Sequence, residues 1–358
     1  MATYDCIVVG GGPAGAAAAY FLARRGRGVL LLEKEVLPRY KCCAGGVPFK
    51  AKEIFDFDLS PCWEREITGA VFTHLSRERM TVPCDQVLGW VARREIFDNF
   101  LVKRAREAGA EILTQTEFRT LEERPGEVLV RTLRDNFRGR VLIGADGPRS
   151  RVARQLSLGR GLIPGFALEA RIPFSPAELS GGGHYLYFDF GRVPGGYSWI
   201  FPRRDHLSVG VGTRHRAGGL KENLFRYLEA EGLGESARGS TVRGEFLSCC
   251  RYPPVLVKNR CLLAGAAAGL TDLVTGEGIY QALISGKLAA RSVDDFLGKG
   301  KSLGGYTGMV RRKLGKSFLY SGLLSGLRSL IPHKISPRLL RHPDLLRRAM
   351  LKTGRGSA

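Results

Sequence analysis

A glycine-rich turn set between two strand-like runs constrains this chain more than any other feature. Tyr4–Val9 (YDCIVV) reads as a buried strand, and Gly10-Gly11-Gly12-Pro13-Ala14-Gly15 follows at once. Ala14 to Arg25 is alanine-rich and reads as a helix. Gly26 and Gly28 break it before Val29 to Glu33 (VLLLE) resumes as a strand. Strand, helix and strand within about 30 residues make a β-α-β unit. The turn satisfies G-x-G-x-x-G, a pattern that is weak alone and specific between a strand and a helix. Gly10 permits the tight turn, Gly12 lets the backbone approach a pyrophosphate, and Gly15 lets the helix pack closely on the sheet. Pro13 and Ala14 open a helix whose first N–H groups and partial positive charge suit phosphates. Glu33 ends the second strand, where its carboxylate can accept hydrogen bonds from ribose hydroxyls. Lys34 completes this part of the expected nucleotide site. The bland alternative, a glycine turn in an unrelated α/β protein, does not account for Glu33 at its place.

The chain is long enough for more than this unit: 358 residues, at roughly 150 per domain, suggest about two domains. Hydrophobic content of 44% with 25% charged residues is that of a folded protein able to enclose a cofactor. No basic, apolar and small-residue succession resembles a secretory signal, and no apolar run reaches about 18 residues. These features predict a cytoplasmic protein. Eight cysteines fit that placement if reduced. Two adjacent pairs, Cys42–Cys43 and Cys249–Cys250, stand out, but no C-x-x-C occurs, so neither zinc nor an iron–sulfur cluster is expected.

The charge is unevenly spread. Of a formal net of +21, the stretch from Gly298 to Ala358 carries +13, from 14 basic residues and one acidic residue, Asp344. It reads as short basic helices. Within it Ser317 to Pro332 (SFLYSGLLSGLRSLIP) is apolar but too short to span a bilayer. Flanked by Lys313, Lys316, Arg328 and Lys334, it suits an interfacial helix on anionic lipid. A helix packed on the protein's own body fits the pattern equally. Nucleic-acid binding is not expected, since no nucleic-acid-binding fold accompanies the basic residues.

Elsewhere, Glu95 to Ala108 has apolar residues near helical spacing, and Val128 to Leu133 and Val141 to Ile143 read as strands. The second of these runs into Gly144-Ala145-Asp146-Gly147. From about Gly165 to Thr213 the texture becomes aromatic and partly alternating, as in an antiparallel sheet with glycine turns. Cys261 to Ala264 returns to a buried strand. A glycine-rich loop and a helix from Ile279 to Phe296 follow, with Ile279, Ala282, Leu283, Gly286, Ala290 and Val293 on one face.

Three of these segments, with the first turn, resemble the FAD-binding aromatic-hydroxylase-like flavoprotein superfamily, and together they cover about Tyr4 to Phe296. Arg94-Glu95-Ile96-Phe97-Asp98 resembles its R-x-x-F-D segment, and Ile143 to Ser150 its G-A-D-G-x-x-S motif. Leu263 to Gly269, continuing through Thr275 to Ile279, resembles its second FAD segment, in which a helix N-terminus approaches the flavin. The resemblance implies FAD as cofactor, and Arg94, Asp146, Gly147, Gly265, Gly276, Gly278 and Ile279 as further cofactor residues. One position departs. The family has aspartate where this chain has Ala266, a loss of one hydrogen-bonded contact of roughly 1–3 kcal/mol against four matching segments.

Within the superfamily the likeness is to the geranylgeranyl reductase family. Pro38-Arg39-Tyr40-Lys41-Cys42-Cys43-Ala44-Gly45-Gly46 resembles its P-x-x-K-x-C-x-G-G loop. Tyr197-Ser198-Trp199-Ile200-Phe201-Pro202 resembles its Y-x-W-x-F-P signature, with Arg203 where lysine is usual. The resemblance places Cys43, Ala44 and Gly45 beside the flavin, and Tyr197, Trp199 and Phe201 on one wall of an apolar cavity, with Cys43, Tyr197, Trp199 and Phe201 as the catalytic set. Read as pattern alone, the three aromatics equally suit one face of a packed strand, and Cys42 and Cys43 suit inert thiols.

The resulting expectation is an α/β fold: a Rossmann-like FAD-binding domain, an inserted α+β substrate domain with an antiparallel sheet, and a basic helical C-terminal tail. Its boundaries are 1–164 with 251–297, 165–250, and 298–358. The expected function is FAD-dependent reduction of polyisoprenoid C=C bonds, at an anionic membrane surface. NAD(P)H or a ferredoxin-like carrier would supply electrons, since no second dinucleotide motif is present. An aromatic monooxygenase and a flavin-free isoprenoid-binding protein are the competing readings.

Overall fold

The glycine turn folds as its spacing requires. In the computed structural model, which describes residues 3–174, 179, 181–215, 218–330, 347, 348, 350 and 351, the strand Thr3–Val9 leads into helix α1 (Pro13–Ala23), and Val29–Leu32 returns as the next strand. These two strands pair in parallel, Cys6 opposite Val29 and Val9 opposite Leu32. They sit centrally in an eight-stranded sheet. The order is Val257–Lys258, Cys261–Leu263, Asn136–Gly144, Thr3–Val9, Val29–Leu32 and Glu111–Leu113, with Thr120–Arg124 and Glu127–Arg131 as an antiparallel extension. Central strands buried on both faces read as continuous apolar runs, and Cys6 to Val9 and Val29 to Leu32 are all nearly inaccessible.

The chain divides into two units. The first is Met1–Tyr40, Glu95–Ile163 and Leu247–Ser325, and the second is built around Lys41–Arg94 and Pro164–Phe246. In the first, helix α2 (Arg94–Glu107) follows the sequence pattern, a short helix α3 (Arg151–Leu156) follows the Asp146 motif, and α5 (Ile279–Lys299) packs on α1. Small side chains allow the close crossing: Ala16 to Ala19 are fully buried, and a Cβ on Gly286 would lie 2.2 Å from the Ala14 carbonyl oxygen.

The tail differs from the succession of short helices expected. Gly305–Leu330 is one helix of 26 residues, α6. Tyr306, Val310, Leu314 and Phe318 repeat at four-residue intervals and are all buried, and such a stripe sustains one continuous helix. The Tyr306 hydroxyl donates to the Leu263 carbonyl at 2.9 Å. Phe318, expected at the membrane, is therefore internal. Of the expected interfacial segment and its flanks, Ile331, Pro332 and Lys334 lie outside the described residues. No described helix is long and apolar enough to cross a membrane.

The second unit centres on a seven-stranded sheet. Its order is Val242–Cys249, Ile163–Pro173, His206–Thr213, Gly196–Pro202, Tyr185–Phe190, Gly69–His74 and Glu78–Pro83. The central hairpins are antiparallel, as the alternation predicts. Gly69–His74, from an earlier part of the chain, joins in parallel beside Tyr185–Phe190. Helix α4 (Leu220–Ala230) covers one face with Leu220, Leu224, Tyr227 and Leu228, against Val71, Ile172, Tyr187, Ile200, Val209 and Val211. Since side chains alternate along a strand, the other face is left to Phe72, Phe188, Phe190, Tyr197, Trp199 and Phe201.

Candidate functional site

In the first unit the turn after Thr3–Val9 makes an anion cradle. Helix α1 begins at Pro13 with Gly12 as N-cap and no side-chain cap. The Ala16 amide bonds back to the Gly12 carbonyl, so the Ala14 and Gly15 amides precede the first intrahelical bond. The three motif glycines do different work. A Cβ on Gly15 would lie 1.9 Å from the Gly10 carbonyl oxygen, and one on Gly10, at φ +107°, would lie 2.4 Å from the Ala145 oxygen. A Cβ on Gly12 would meet only an Arg39 Nη2, at 3.8 Å. Gly10 and Gly15 thus serve the fold, while Gly12 keeps a space open in front of the helix end. The Glu33 carboxylate accepts the Gly11 amide at 2.7 Å and the Glu35 amide at 3.0 Å, which aims it at this turn. Lys34 is largely exposed and pairs with Glu35, outside the cradle.

Arg39 was not singled out by the sequence. Its guanidinium lies 3.1 Å from Asp98 and 3.7 Å from Glu33, beside the space at Gly12. Asp98 is fully buried, and this pairing gives a physical role to the last residue of the R-x-x-F-D segment. Arg94 opens α2. The signal for Arg39 was an arginine in a glycine-rich loop shortly after the β-α-β unit, but nothing local names its partners.

Asp146 and Gly147 follow the strand Asn136–Gly144. The Asp146 carboxylate accepts Ser150 Oγ at 2.6 Å and the Arg151 and Val152 amides at 2.7 and 3.3 Å. It therefore organises the start of α3, where Ser150 is the N-cap. Burial pushes its pKa above the ordinary aspartate value, and those hydrogen bonds oppose the rise. Gly265, at φ +60°, begins a 3-10 turn, Gly265–Ala268, tied by its amide to Ser285 Oγ at 2.9 Å. Ala266 is the one partly exposed residue of that turn. Gly276 (φ +68°) and Gly278 lead into α5, whose N-terminus at Ile279 also has no side-chain cap. Two uncapped helix ends, an open glycine and a buried acid at a strand end fit the phosphates and ribose of a dinucleotide.

In the second unit the Cys43 loop is held against the aromatic sheet. The Cys43 amide donates to Glu169 Oε2 at 3.0 Å, and Ser208 Oγ donates to Glu169 Oε1 at 2.6 Å. The Trp199 indole N–H reaches Ser208 Oγ at 3.5 Å. The buried Arg203 guanidinium donates to the Ala44 and Cys43 carbonyls and lies 3.3 Å from Glu64. Gly45, at φ +71°, leaves it room, since a Cβ there would lie 2.3 Å from Arg203 Nη2. The Cys43 sulfur accepts the Gly45 amide at 3.3 Å. Of the eight cysteines, none in a disulfide, Cys43 alone is partly exposed. Its neighbour Cys42 is buried, and burial pushes that thiol well above its ordinary range, which makes it unreactive. Among the described residues no cluster of His, Cys, Asp and Glu could hold a metal ion.

The aromatic face is continuous. Phe188 lies 5.6 Å from Phe72, 5.8 Å from Tyr197 and 5.5 Å from Phe201 between ring centroids, and Tyr197 lies 6.2 Å from Trp199. Tyr197, Trp199 and Phe201 therefore share one face, as their spacing predicts, and Phe72, Phe188 and Phe190 extend it. The indole of Trp199 crosses the next strand over Gly210, where a Cβ would come within 2.1 Å of Cζ2.

Comparison with known proteins decides among the flavoprotein readings. Residues 5–42 match the model of a family described as FAD dependent oxidoreductase. The chain is 33% identical over 310 residues to the geranylgeranyl diphosphate reductase of Rhodobacter capsulatus, covering 83% of this chain and 77% of that protein. The chain belongs to the geranylgeranyl reductase family. It is likewise 33% identical over 313 residues to the digeranylgeranylglycerophospholipid reductase of Methanocaldococcus jannaschii, covering 81% and 78% of the two chains. In fold it matches the structure of a geranylgeranyl bacteriochlorophyll reductase-like protein from Thermoplasma acidophilum, with a TM-score of 0.82 and 23% identity over 95% of this chain and 91% of that one. As a member of the geranylgeranyl reductase family it is an FAD-dependent oxidoreductase, and the cradle at Gly12 fits that cofactor's pyrophosphate.

Proposed function

We propose that this chain reduces carbon–carbon double bonds of a geranylgeranyl or other polyisoprenoid chain. The substrate carries that chain on a lipid, a diphosphate, a chlorophyll precursor or a quinone. The observation that carries the reading is the aromatic face. Six rings on three adjacent strands offer an apolar surface to an extended hydrocarbon, and the loop bearing Cys43 is hydrogen-bonded to the same sheet. The relatives named as reductases of geranylgeranyl diphosphate and of a digeranylgeranyl phospholipid support it.

FAD, when bound, supplies the hydride for one alkene carbon. An isolated alkene accepts hydride poorly, and a misplacement of about 1 Å can cost around a hundredfold in rate. Tyr197, Trp199 and Phe201 would hold the chain in place and exclude water. The Cys43 thiol would hold the proton for the second carbon. Gly12, Glu33 and Arg39 would bind the cofactor, on a turn that Gly10 and Gly15 shape.

The same reading extends to location. On α6, Leu319, Tyr320 and Leu323 are exposed beside exposed Arg312, Lys313 and Lys316. Apolar and basic groups together are what stable binding to anionic lipid requires, and a cytoplasmic enzyme of isoprenoid lipids would work from that surface. Electrons would come from NAD(P)H or from a small acidic carrier, which the net charge of +21 favours. The test is mass spectrometry of geranylgeranylated lipid and of geranylgeranyl diphosphate after anaerobic incubation with the protein and dithionite. Mass gains in steps of two hydrogens are expected, and unchanged substrates would refute the reading.

A further inference from the structure

Glu169 stands where neither the aromatic signature nor the cysteine loop points, yet it accepts from the loop and is linked to Trp199 through Ser208. It lies on the strand Ile163–Pro173, in a run whose neighbours Leu168 and Ala170 are apolar, and it is 2% exposed. Register puts it in one row with the aromatic face: Phe72 pairs with Phe188, Phe188 with Trp199, Trp199 with Gly210 and Gly210 with Glu169. Gly210 provides no side chain in that row, so the Trp199 indole lies across the gap toward the Glu169 side.

The two carboxylate oxygens are divided. Oε2 accepts the Cys43 amide at 3.0 Å, and Oε1 accepts Ser208 Oγ at 2.6 Å; Ser208 is fully buried and in turn receives the Trp199 indole N–H at 3.5 Å. Buried carboxylates are costly unless their oxygens are hydrogen-bonded. A neutral apolar residue at 169 would serve the core at no such cost, so retaining a charge here has to be set against what it holds. Arg203, fully buried, supplies a compensating positive charge from the other side of the loop while it donates to the Ala44 and Cys43 carbonyls.

We propose that Glu169 is the positioning residue of the reductive site. One carboxylate sets the Cys43 thiol and the Trp199 ring at a common register, through the Cys43 amide on one oxygen and Ser208 on the other. This rests on the function proposed above only for what the two groups act upon; the clamp itself is a set of hydrogen bonds within the second unit. Glu169 touches no reacting atom. Its removal lets the loop and the indole move independently, and the reaction loses rate while the cofactor cradle in the other unit is untouched.

The test uses full-length, flavin-loaded protein and three readouts. The first is alkylation of Cys43 by iodoacetamide across pH, corrected with Cys43→Ala. The second is Trp199 emission, taken as the difference from the matching Trp199→Phe variant. The third is kcat and KM for reduction of a geranylgeranylated lipid. Glu169→Ala is expected to change the alkylation rate at least fivefold, to shift the Trp199 emission, and to lower kcat roughly ten- to hundredfold with KM within about threefold. Flavin content and flavin reduction by dithionite stay at wild-type levels. Glu169→Gln, which keeps an acceptor for the Cys43 amide, restores the alkylation rate to within about threefold of wild type. Ser208→Ala shifts the emission and leaves alkylation nearly unchanged, and it carries the test if Glu169→Ala does not fold. Wild-type alkylation and emission in a folded Glu169→Ala, or wild-type emission in Ser208→Ala, overturn the clamp. A wild-type protein that reduces no isoprenoid refutes the function reading alone, because the first two readouts still decide the clamp.

Discussion

Replacing Gly12 by alanine separates the cofactor's demands from those of the fold. The backbone at Gly12 has φ −78° and ψ −178°, which any residue adopts, and the added methyl would meet nothing closer than an Arg39 nitrogen at 3.8 Å. The flavin-free protein should therefore lose no stability. It should gain up to about 1 kcal/mol, because alanine has fewer unfolded conformations to lose. The same change at Gly10 meets φ +107° and an oxygen at 2.4 Å. Strain of roughly 1–3 kcal/mol and overpacking of roughly 1–3 kcal/mol together put Gly10→Ala about 2–6 kcal/mol below wild type. Gly15→Ala, with its methyl 1.9 Å from a carbonyl oxygen, belongs with Gly10. Flavin affinity should show the opposite order of directness. A methyl filling the space at Gly12 pushes the pyrophosphate from the α1 amides, and a loss of about 1.4–2.8 kcal/mol there is a ten- to hundredfold weaker Kd. The assay is denaturant unfolding of the flavin-free proteins beside fluorescence titration with FAD. A Gly12→Ala variant that is stable and binds FAD as tightly as wild type would refute the assignment of this turn to the cofactor.

Trp199→Ala is expected to lower lipid reduction about a hundredfold while flavin content stays near normal, as read by absorbance and by mass spectrometry of the product. Charge reversal at Arg312, Lys313 and Lys316, all exposed, should weaken binding to anionic vesicles by about 1 kcal/mol per charge, measured by flotation at low and high salt. Arg311 is left out of that set because its Nε donates to the Pro253 carbonyl at 2.9 Å and it stacks on Tyr252, so reversing it would disturb the fold. The His206 pKa is lowered, mainly by burial, against the opposing hydrogen bond that its Nδ1 donates to the Asp205 carboxylate. A histidine depressed in the folded state contributes stability above its unfolded value of about 6.5, and that contribution is lost as pH falls through 6.5 toward the folded value. His206→Asn should flatten thermal stability across that window, and an unchanged slope in melting scans would remove His206 from the account.

The cofactor unit was legible because its signals are local. A strand, a turn and a helix adjacent in the chain carry their own periodicity, and Glu33 sits one strand away from the glycines it faces. The aromatic face was half legible: Tyr197, Trp199 and Phe201 alternate on one strand, but Phe72 comes from a strand far earlier, and only register brings it beside Phe188. Arg39 with Asp98, and Glu169 with Cys43, were not legible, because a hydrogen bond between distant segments leaves no spacing to read. A charged residue in the apolar run GFALEARIPF was the one available sign of Glu169. The long tail helix was missed for another reason. Its glycines and exposed basic residues obscure a buried stripe, Tyr306, Val310, Leu314 and Phe318, that becomes visible only when counted at intervals of four.

The buried charges of the second unit fit the positioning role proposed for Glu169. Glu64, Glu169 and Arg203 are each almost inaccessible, in a unit whose proposed substrate surface is apolar. Buried ion pairs are poor sources of stability, since desolvation offsets most of their attraction, and apolar residues of similar volume often do as well or better. What they offer instead is a defined geometry, because each buried acceptor and donor has few ways to be satisfied. Here Glu169 and Arg203 grip the same loop from two sides, one at the Cys43 amide and the other at the Cys43 and Ala44 carbonyls. A hydrocarbon substrate brings no polar group with which to orient itself. The burden of alignment then falls on the protein's own polar network, held beneath the apolar surface and out of reach of water.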